Sequence, residues 1–195
     1  VYITIVLDRS GSMASQLNDT LGGFNLFLEE QKKIKDGFMT LITFSNNVET
    51  KYKEMNIKDV EKLTKENYVP SGGTALLDAI GSSIKYNDTL DDMSKKMIVI
   101  ITDGEENSSK KYTNAHINDL ISDRRNRDWE FIFLAANQDA ISSGEAYGIA
   151  PDAALTFSQQ DATQEAFSII SEAVYRSATS QDKEKKVSFT PIQRQ

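Results

Sequence analysis

The sequence predicts an α/β fold, in which a mainly parallel six-stranded sheet has one antiparallel edge strand and carries helices on both faces. Apolar runs of strand length alternate along the chain with segments whose apolar residues recur at helical spacing. Such alternation is typical of parallel sheets that are covered on both sides. One pair of strands is separated only by a tight turn at Asn46-Asn47, and so short a connection requires antiparallel pairing.

Six segments are predicted to be strands. Residues 1–7 and 97–101 are almost continuous apolar runs, which is the pattern of a strand buried on both faces of a sheet. The other predicted strands are residues 38–44, 48–53, 129–135 and 153–157. Of these, residues 48–53 follow the tight turn and form the antiparallel edge.

Helices are predicted where apolar residues recur every three or four positions. The longest covers residues 15–35 and is followed by Gly37, a residue type common at helix ends. A second helix opens after the glycine loop at 70–75, and the others are predicted at residues 56–67, 113–126, 140–147 and 163–177. Together with the strands, these helices predict a doubly wound, Rossmann-like sheet.

The chain is expected to form one domain over residues 1–177, because 195 residues fit one large domain or two small ones. From residue 178 onward the composition turns polar and charged. Residues 178–195 are therefore predicted to be a C-terminal tail or linker. Val187, Phe189 and Ile192 are its candidate docking residues.

The composition argues against several classes of protein. The chain contains no cysteine, so disulfides and thiolate metal sites are excluded. Its net charge of −7 argues against nonspecific nucleic-acid binding, which needs a basic surface. No apolar run approaches the roughly 18–20 residues of a membrane span. A cysteine-free chain without a visible leader best fits a reducing compartment, and we expect a cytoplasmic location.

Polar side chains gather where two predicted strands end. Asp8, Ser10 and Ser12 follow the first strand, Asp103 follows the fourth, and Thr74 follows a pair of glycines. Open α/β sheets bind their ligands at the carboxyl ends of strands, and carboxylate and hydroxyl oxygens suit Mg²⁺, Ca²⁺ or Mn²⁺. Each residue also has a simpler interpretation, because aspartate, serine and threonine are common in turns and helix caps.

Three segments carry a combined motif: Asp8-Arg9-Ser10-Gly11-Ser12, Ser71-Gly72-Gly73-Thr74-Ala75-Leu76 and Thr102-Asp103-Gly104. Together they resemble the von Willebrand factor A domain family. The first segment matches the family's Asp-x-Ser-x-Ser signature, and Thr74 and Asp103 match its second and third elements. The resemblance covers roughly residues 1–177, and it is closest to the stand-alone A domains of bacteria and their phages. It implies a metal-ion-dependent adhesion site.

The resemblance implies a divalent cation, Mg²⁺ in the first place and Mn²⁺ or Ca²⁺ as alternatives. Its ligands would be Asp8, Ser10, Ser12, Thr74 and Asp103. The two serines would bind the ion directly, the two aspartates directly or through water, and Thr74 in either way. Because neutral hydroxyls leave the ion electrophilic, an aspartate or glutamate carboxylate of a protein partner would complete the coordination. The implied function is a noncatalytic, metal-dependent protein-interaction module.

Two other functions remain open. A Mg²⁺-dependent phosphatase or hydrolase would also use acids at strand ends of a Rossmann-like sheet. Against it, the first loop has no second acid, and the glycine loop lacks the lysine of phosphate-binding loops. A structural subunit, in which the ion only stabilises the fold, would show a large effect of metal on melting and no metal-dependent partner.

Several neighbours of the motif have two interpretations each. Arg9 either steers an acidic partner or is simply solvated. Glu105 and Glu106 either shape partner choice by repulsion or form an ordinary exposed loop. Residues 137–139 follow another predicted strand and could border the same surface. His116, the single histidine, falls in a helical pattern, so neither a histidine-based triad nor a zinc site is supported.

Overall fold

A computed structural model describes residues 1–136, 140–157, 163–182, 186–191 and 193. The strands are β1 (Tyr2–Asp8), β2 (Phe38–Phe44), β3 (Val48–Asn56), β4 (Lys96–Thr102), β5 (Glu130–Ala136) and β6 (Ala154–Phe157). The α-helices are α1 (Leu17–Gln31), α2 (Leu76–Asn87), α3 (Asn114–Arg125), α4 (Ala140–Ala146) and α5 (Thr163–Thr179). None of the helices in the described ranges combines the length and the apolar character that crossing a membrane requires.

The strands form one sheet in the order β3-β2-β1-β4-β5-β6. Every neighbouring pair is parallel except β2 and β3, which are antiparallel. The predicted fold class is therefore confirmed as a Rossmann-like, mainly parallel sheet with one antiparallel edge strand. The chain winds outward from β1 in one direction and from β4 in the other, so the order reverses between these two strands. A ligand crevice is expected there, outside their carboxyl ends.

Two hydrophobic clusters lie on opposite faces of the sheet, because successive side chains of a strand point to opposite faces. Ile5 of β1 and Val99 of β4 belong to the cluster under α1 and α5. Val6 and Ile100, one position further along each strand, belong to the cluster under α2 and α3. Burial on both faces explains why these strands read as continuous apolar runs, and the predicted helices on both faces are confirmed.

The helix predicted at residues 56–67 is wrong. The structure has only a 3₁₀ turn at Ile57–Asp59, followed by an irregular segment. Asn25 of α1 explains the difference, because its side chain accepts a hydrogen bond from the Leu63 amide at 2.8 Å and donates one to the Leu63 carbonyl at 3.0 Å. These bonds use backbone groups that a helix would pair internally. The apolar residues of the segment are nevertheless buried, as the helical pattern predicted.

The helix predicted at residues 15–35 is shorter and begins differently. A 3₁₀ segment at Gly11–Gln16 precedes α1, which ends at Gln31. The amide of Ile34 still bonds to the Gln31 carbonyl at 2.9 Å, so the chain turns tightly after α1 instead of continuing the helix. The 3₁₀ segment brings the loop after β1 close to the end of β4.

The chain after α5 is attached to the domain by its backbone and by apolar side chains. Val187 and Phe189 are buried in the cluster under α1 and α5. The Glu130 carboxylate accepts a hydrogen bond from the Val187 amide at 2.7 Å and pairs with Lys95 at 2.7 Å. Ile192 lies outside the described residues, and the division of the chain at residue 177 stays a prediction.

Close packing of α1 on α5 gives a test of the fold. A side-chain carbon at Gly23 would lie 2.3 Å from the ring of Phe167, so Gly23→Ala should destabilise the protein by about 1–3 kcal/mol through overpacking. Gly22→Ala is the matched control, because its new methyl would meet only the end of the Gln164 side chain, at 3.3 Å. Its better helix propensity should stabilise by up to about 1 kcal/mol. Urea denaturation that shows equal effects for both variants would contradict this packing.

Candidate metal centre

The five predicted site residues meet at the point where the strand order reverses. Asp8 is the last residue of β1, and Asp103 directly follows β4. Ser10 and Ser12 lie in the loop and 3₁₀ segment after β1, and Thr74 lies two residues before α2. The site therefore lies at the carboxyl ends of the two central strands, where this topology places ligands.

A chain of hydrogen bonds joins four of the five residues. The Ser10 amide donates to Asp8 Oδ1 at 2.6 Å, and the Ser10 and Ser12 hydroxyls are 3.0 Å apart. Ser12 Oγ then donates to Asp103 Oδ1 at 2.6 Å. Two carboxylates and two hydroxyls from distant parts of the chain thus form one continuous group of oxygen atoms.

Thr74 contributes a hydroxyl at the side of this group. A side-chain carbon placed at Gly104 would lie 3.3 Å from Thr74 Oγ1 and 3.7 Å from Ser12 Oγ, so both hydroxyls border the same point. Within the part of the chain that the structure describes, the Thr74 hydroxyl has no hydrogen-bond partner. Its oxygen is therefore available to a ligand.

Backbone contacts between loops set the position of Thr74. Asn107 Oδ1 accepts a hydrogen bond from the Thr74 amide at 2.9 Å, and the Asn107 amide donates to the Thr74 carbonyl at 3.0 Å. The Gly11 amide donates to the Gly72 carbonyl at 2.9 Å, which links the glycine loop to the loop after β1. Gly72 has φ of +79°, a conformation that glycine adopts without the steric cost of a side chain.

The carboxylates lie in a poorly solvated place. Asp8 is fully buried, and burial raises its pKa to about 6, although hydrogen bonds from Thr102 and Ser10 oppose this rise and the nearby Asp103 adds to it. A bound cation would favour the ionised form and offset this cost. Ser12 is exposed whereas Asp8, Ser10, Thr74 and Asp103 are buried, so the group opens to solvent at Ser12.

The donor set fits a hard divalent cation. It combines carboxylate and hydroxyl oxygens, which Mg²⁺ and Mn²⁺ accept. Nitrogen and sulfur ligands, which would indicate zinc, do not belong to this group. Across the described ranges, no cluster of three or more histidine, cysteine, aspartate or glutamate side chains is placed to hold a metal ion. The hydroxyl-rich group has two acids, and it is a candidate metal centre on the chemistry of its oxygen donors.

Three supporting residues were not predicted from the sequence. Thr102 Oγ1 donates to Asp8 Oδ2 at 2.6 Å, Gln16 Nε2 donates to Asp103 Oδ2 at 2.9 Å, and the Tyr68 hydroxyl donates to the Asp8 carbonyl at 2.5 Å. The only available signal was the place of Thr102 beside Asp103 in the motif. Gln16 and Tyr68 are separated from their partners by 87 and 60 positions, and no sequence pattern links them.

Two of the neighbouring charged residues make contacts within the domain. Arg9 turns back toward Glu49, at 3.7 Å, and Ser71, at 3.5 Å, so its side chain is engaged within the domain. Glu106 accepts hydrogen bonds from the Leu77 amide at 2.9 Å and from the amide of Ser109 at 2.7 Å. Its role is therefore to cap the first turn of α2.

Other neighbours contribute less to the site. Glu105 is exposed, which agrees with both of its interpretations. His116 is exposed on α3, where its ring packs against Tyr112 at 5.2 Å. Residues 137–139, a further candidate border of the site, lie outside the described residues.

Comparison with known families gives one match, to the von Willebrand factor type A domain over residues 3–106. This range includes all five residues of the candidate metal centre. No curated protein matches the chain in sequence.

Solved structures with a similar fold include three of different origin. The pilus adhesin SpaC from Lactobacillus rhamnosus GG, in its open conformation, is 14% identical with a TM-score of 0.72, over 90% of this chain and 30% of that one. A von Willebrand factor type A protein from Catenulispora acidiphila is 14% identical with a TM-score of 0.58, over 89% and 42%. The manganese-loaded TRAP protein of Plasmodium vivax is 12% identical with a TM-score of 0.50, over 69% and 56%. This chain thus spans less than two thirds of each, and such low identity shows the fold alone.

The burial of Asp8 predicts how replacing this residue changes the stability of the metal-free protein. Asp8→Asn should stabilise the protein at pH 7 by about 1–2 kcal/mol, because it removes a charge from a fully buried position. The pKa of Asp8 in the folded protein, about 6, lies above the ordinary value, so the folded state favours the protonated carboxyl. Asp8 therefore does not destabilise the protein below about pH 4, and it becomes destabilising as the pH rises through about 6. The advantage of the variant should therefore shrink toward pH 4.

Denaturation in the presence of a chelator measures this effect. Asp19→Asn, at an exposed aspartate in the first turn of α1, is the matched control and should change stability by less than about 0.5 kcal/mol. A stability difference between Asp8→Asn and wild type that stays the same from about pH 4 to pH 7, without metal, would show that burial of the charge is not costly, because the hydrogen bond that asparagine cannot accept does not titrate.

Proposed function

The chain belongs to the von Willebrand factor type A domain family, and on this basis we propose that it captures a protein partner through a divalent cation. The cation would be held by Asp8, Ser10, Ser12, Thr74 and Asp103. A carboxylate of the partner's aspartate or glutamate would bind to the same ion. The protein would then act as a noncatalytic, metal-dependent interaction module.

The hydrogen-bond chain from Asp8 through Ser10 and Ser12 to Asp103 is the observation that carries this proposal. It gathers oxygen atoms from the ends of two central strands at one point, with the unengaged hydroxyl of Thr74 beside them. Gathering two carboxylates in a buried place is costly unless a cation compensates for their charge. The arrangement is therefore suited to a cation.

Each residue has a distinct part in the proposed binding. Asp8 and Asp103 supply negative charge, which favours any divalent cation, while the three hydroxyls supply neutral oxygens. A cation surrounded largely by neutral oxygens would act as a Lewis acid toward an incoming carboxylate. Because Ser12 is the exposed member, the partner would approach from its side.

The names of the similar structures support both parts of the proposal. SpaC is described as a pilus adhesin, and the TRAP protein is described as manganese-loaded. Attachment to a partner and binding of a divalent cation therefore both occur among proteins with this fold. We propose Mg²⁺ as the resident ion, with Mn²⁺ or Ca²⁺ as alternatives, since hard oxygen ligands accept all three.

The geometry gives the alternative phosphatase or hydrolase no added support. Such an enzyme would use a strand-end aspartate as nucleophile or base. Here both oxygens of Asp8 already accept hydrogen bonds, from the Ser10 amide and from Thr102 Oγ1. These contacts hold the Asp8 carboxylate in place, which suits a ligand of a cation better than a group that reacts with a substrate.

Calorimetric titration of Mn²⁺ and Mg²⁺ into metal-stripped protein tests the cation site. Wild-type protein should bind one ion, and Ser12→Ala should weaken binding at least about tenfold, since it removes one ligand. Ser12 is chosen because it is exposed, so its loss should leave the fold intact. Ser15→Ala, which removes only a 3.0 Å bond to the Ser12 carbonyl, is the matched control. Equal affinities of the two variants would argue against Ser12 as a ligand.

Acetate serves as a minimal carboxylate probe for the partner. If the bound ion accepts a carboxylate, millimolar acetate should raise the apparent Mn²⁺ affinity, because the effects of two ligands on each other's binding are reciprocal. Acetamide, of the same size but uncharged, should have no effect. An ion that only stabilises the fold would raise the melting temperature, yet its affinity would be indifferent to acetate. That result would favour the structural alternative over the interaction module.

A further inference from the structure

Gln16 connects the 3₁₀ segment after β1 to the acid at the end of β4. It is the last residue of the segment Gly11–Gln16, and its side chain is buried with 2% of its surface exposed. Its Nε2 donates a hydrogen bond to Asp103 Oδ2 at 2.9 Å. A hydrogen bond from a buried amide to a carboxylate is stronger than one between neutral groups.

With this contact, both carboxylate oxygens of Asp103 accept a hydrogen bond. Ser12 Oγ donates to Oδ1 of the carboxylate at 2.6 Å, and Gln16 donates to Oδ2. Two donors, one to each oxygen, hold the carboxylate in one orientation, whereas a single donor would allow it to rotate. Of the two, Ser12 is itself a proposed ligand of the cation, so Gln16 is the donor that stays in place whatever Ser12 binds.

The amide oxygen of Gln16, Oε1, pays for this contact by remaining without a hydrogen bond in the part of the chain that the structure describes. Among the described residues, Gln16 Oε1 is buried without a hydrogen-bond partner. Turning the amide around would bring this oxygen, an acceptor, against the acceptor oxygen of Asp103. An unpaired buried carbonyl is unfavourable, so the orientation is explained by the donation to Asp103.

We propose that Gln16 is a positioning residue of the metal centre, which holds Asp103 in the orientation that the cation requires. This inference rests on the proposed function, because it presumes that the site binds a divalent cation. Gln16 acts through Asp103 and does not itself contact the ion. Partners of this kind typically contribute 10- to 100-fold to metal affinity.

Gln31 provides a matched control for the burial of a glutamine. It is fully buried, its Nε2 donates to the Ser171 carbonyl at 3.0 Å, and its Oε1 also lacks a partner among the described residues. Its contacts tie α1 to α5 instead of reaching the metal centre. Gln16→Met and Gln31→Met remove the same hydrogen-bonding group from comparable surroundings and keep a side chain of similar length.

The test measures Mn²⁺ affinity and metal-free melting for both variants by calorimetry. Gln16→Met should weaken Mn²⁺ binding by about 10- to 100-fold, whereas Gln31→Met should leave the affinity within about twofold of wild type. Both should lower the melting temperature of the metal-free protein, because both lose a buried hydrogen bond. A fall in affinity confined to Gln16→Met therefore separates positioning of Asp103 from loss of stability.

A second arm asks whether Gln16 acts through Asp103. In an Asp103→Ala background, a further Gln16→Met change should have less than about a twofold effect on Mn²⁺ affinity, because the group it positions is gone. An unchanged loss in that background, an unaltered affinity in Gln16→Met alone, or equal losses in the Gln16 and Gln31 variants would each overturn the inference. Should Asp103→Ala bind too weakly to measure, the comparison of the two glutamine variants decides. Wild-type protein that binds no Mn²⁺ would overturn the proposed function itself.

Discussion

The buried carboxylate of Asp8 at the end of β1 is the constraint on which the site depends. Burial of this group raises its pKa and disfavours its charge, so the surrounding chain must satisfy it. Thr102 at the end of β4 and the amide of Ser10 each donate to one of its oxygens, and Tyr68 donates to its carbonyl. The side chain of Asp8 thus connects the neighbouring central strand with the loop that follows β1, and its main-chain carbonyl connects to the segment that leads to the glycine loop.

The topology of the sheet explains why these contacts converge. The chain leaves β1 in one direction and returns to β4 on the other side, so the loops after these strands diverge and leave a crevice between them. Ser10 and Ser12 enter it from one loop and Asp103 from the other, while the glycine loop brings Thr74 alongside through backbone contacts with Asn107. Rigid strands therefore fix groups that are far apart in sequence, which favours a preorganised binding site.

Much of the fold could be predicted because apolar patterns report burial directly. The continuous runs of β1 and β4 and the short hairpin gave the sheet and its antiparallel edge. The helix at residues 56–67 was wrong because Asn25, a residue of another element, determines the backbone there. The five candidate residues were recognisable as a motif, whereas Gln16 and Tyr68 were not, since hydrogen bonds over such distances along the chain leave no local pattern. Local sequence thus predicted the candidate ligands, and tertiary packing supplied the residues that contact them.

In the proposed binding mode, one divalent cation is surrounded by oxygen atoms of Asp8, Ser10, Ser12, Thr74 and Asp103. Anomalous diffraction at the manganese edge, from crystals soaked in Mn²⁺, tests it most directly, because the signal locates the ion without reference to any assumed ligand. We expect one strong peak between the ends of β1 and β4, close to the hydroxyls of Ser10 and Ser12. A peak elsewhere on the protein, or none in crystals that diffract well after soaking, would contradict it.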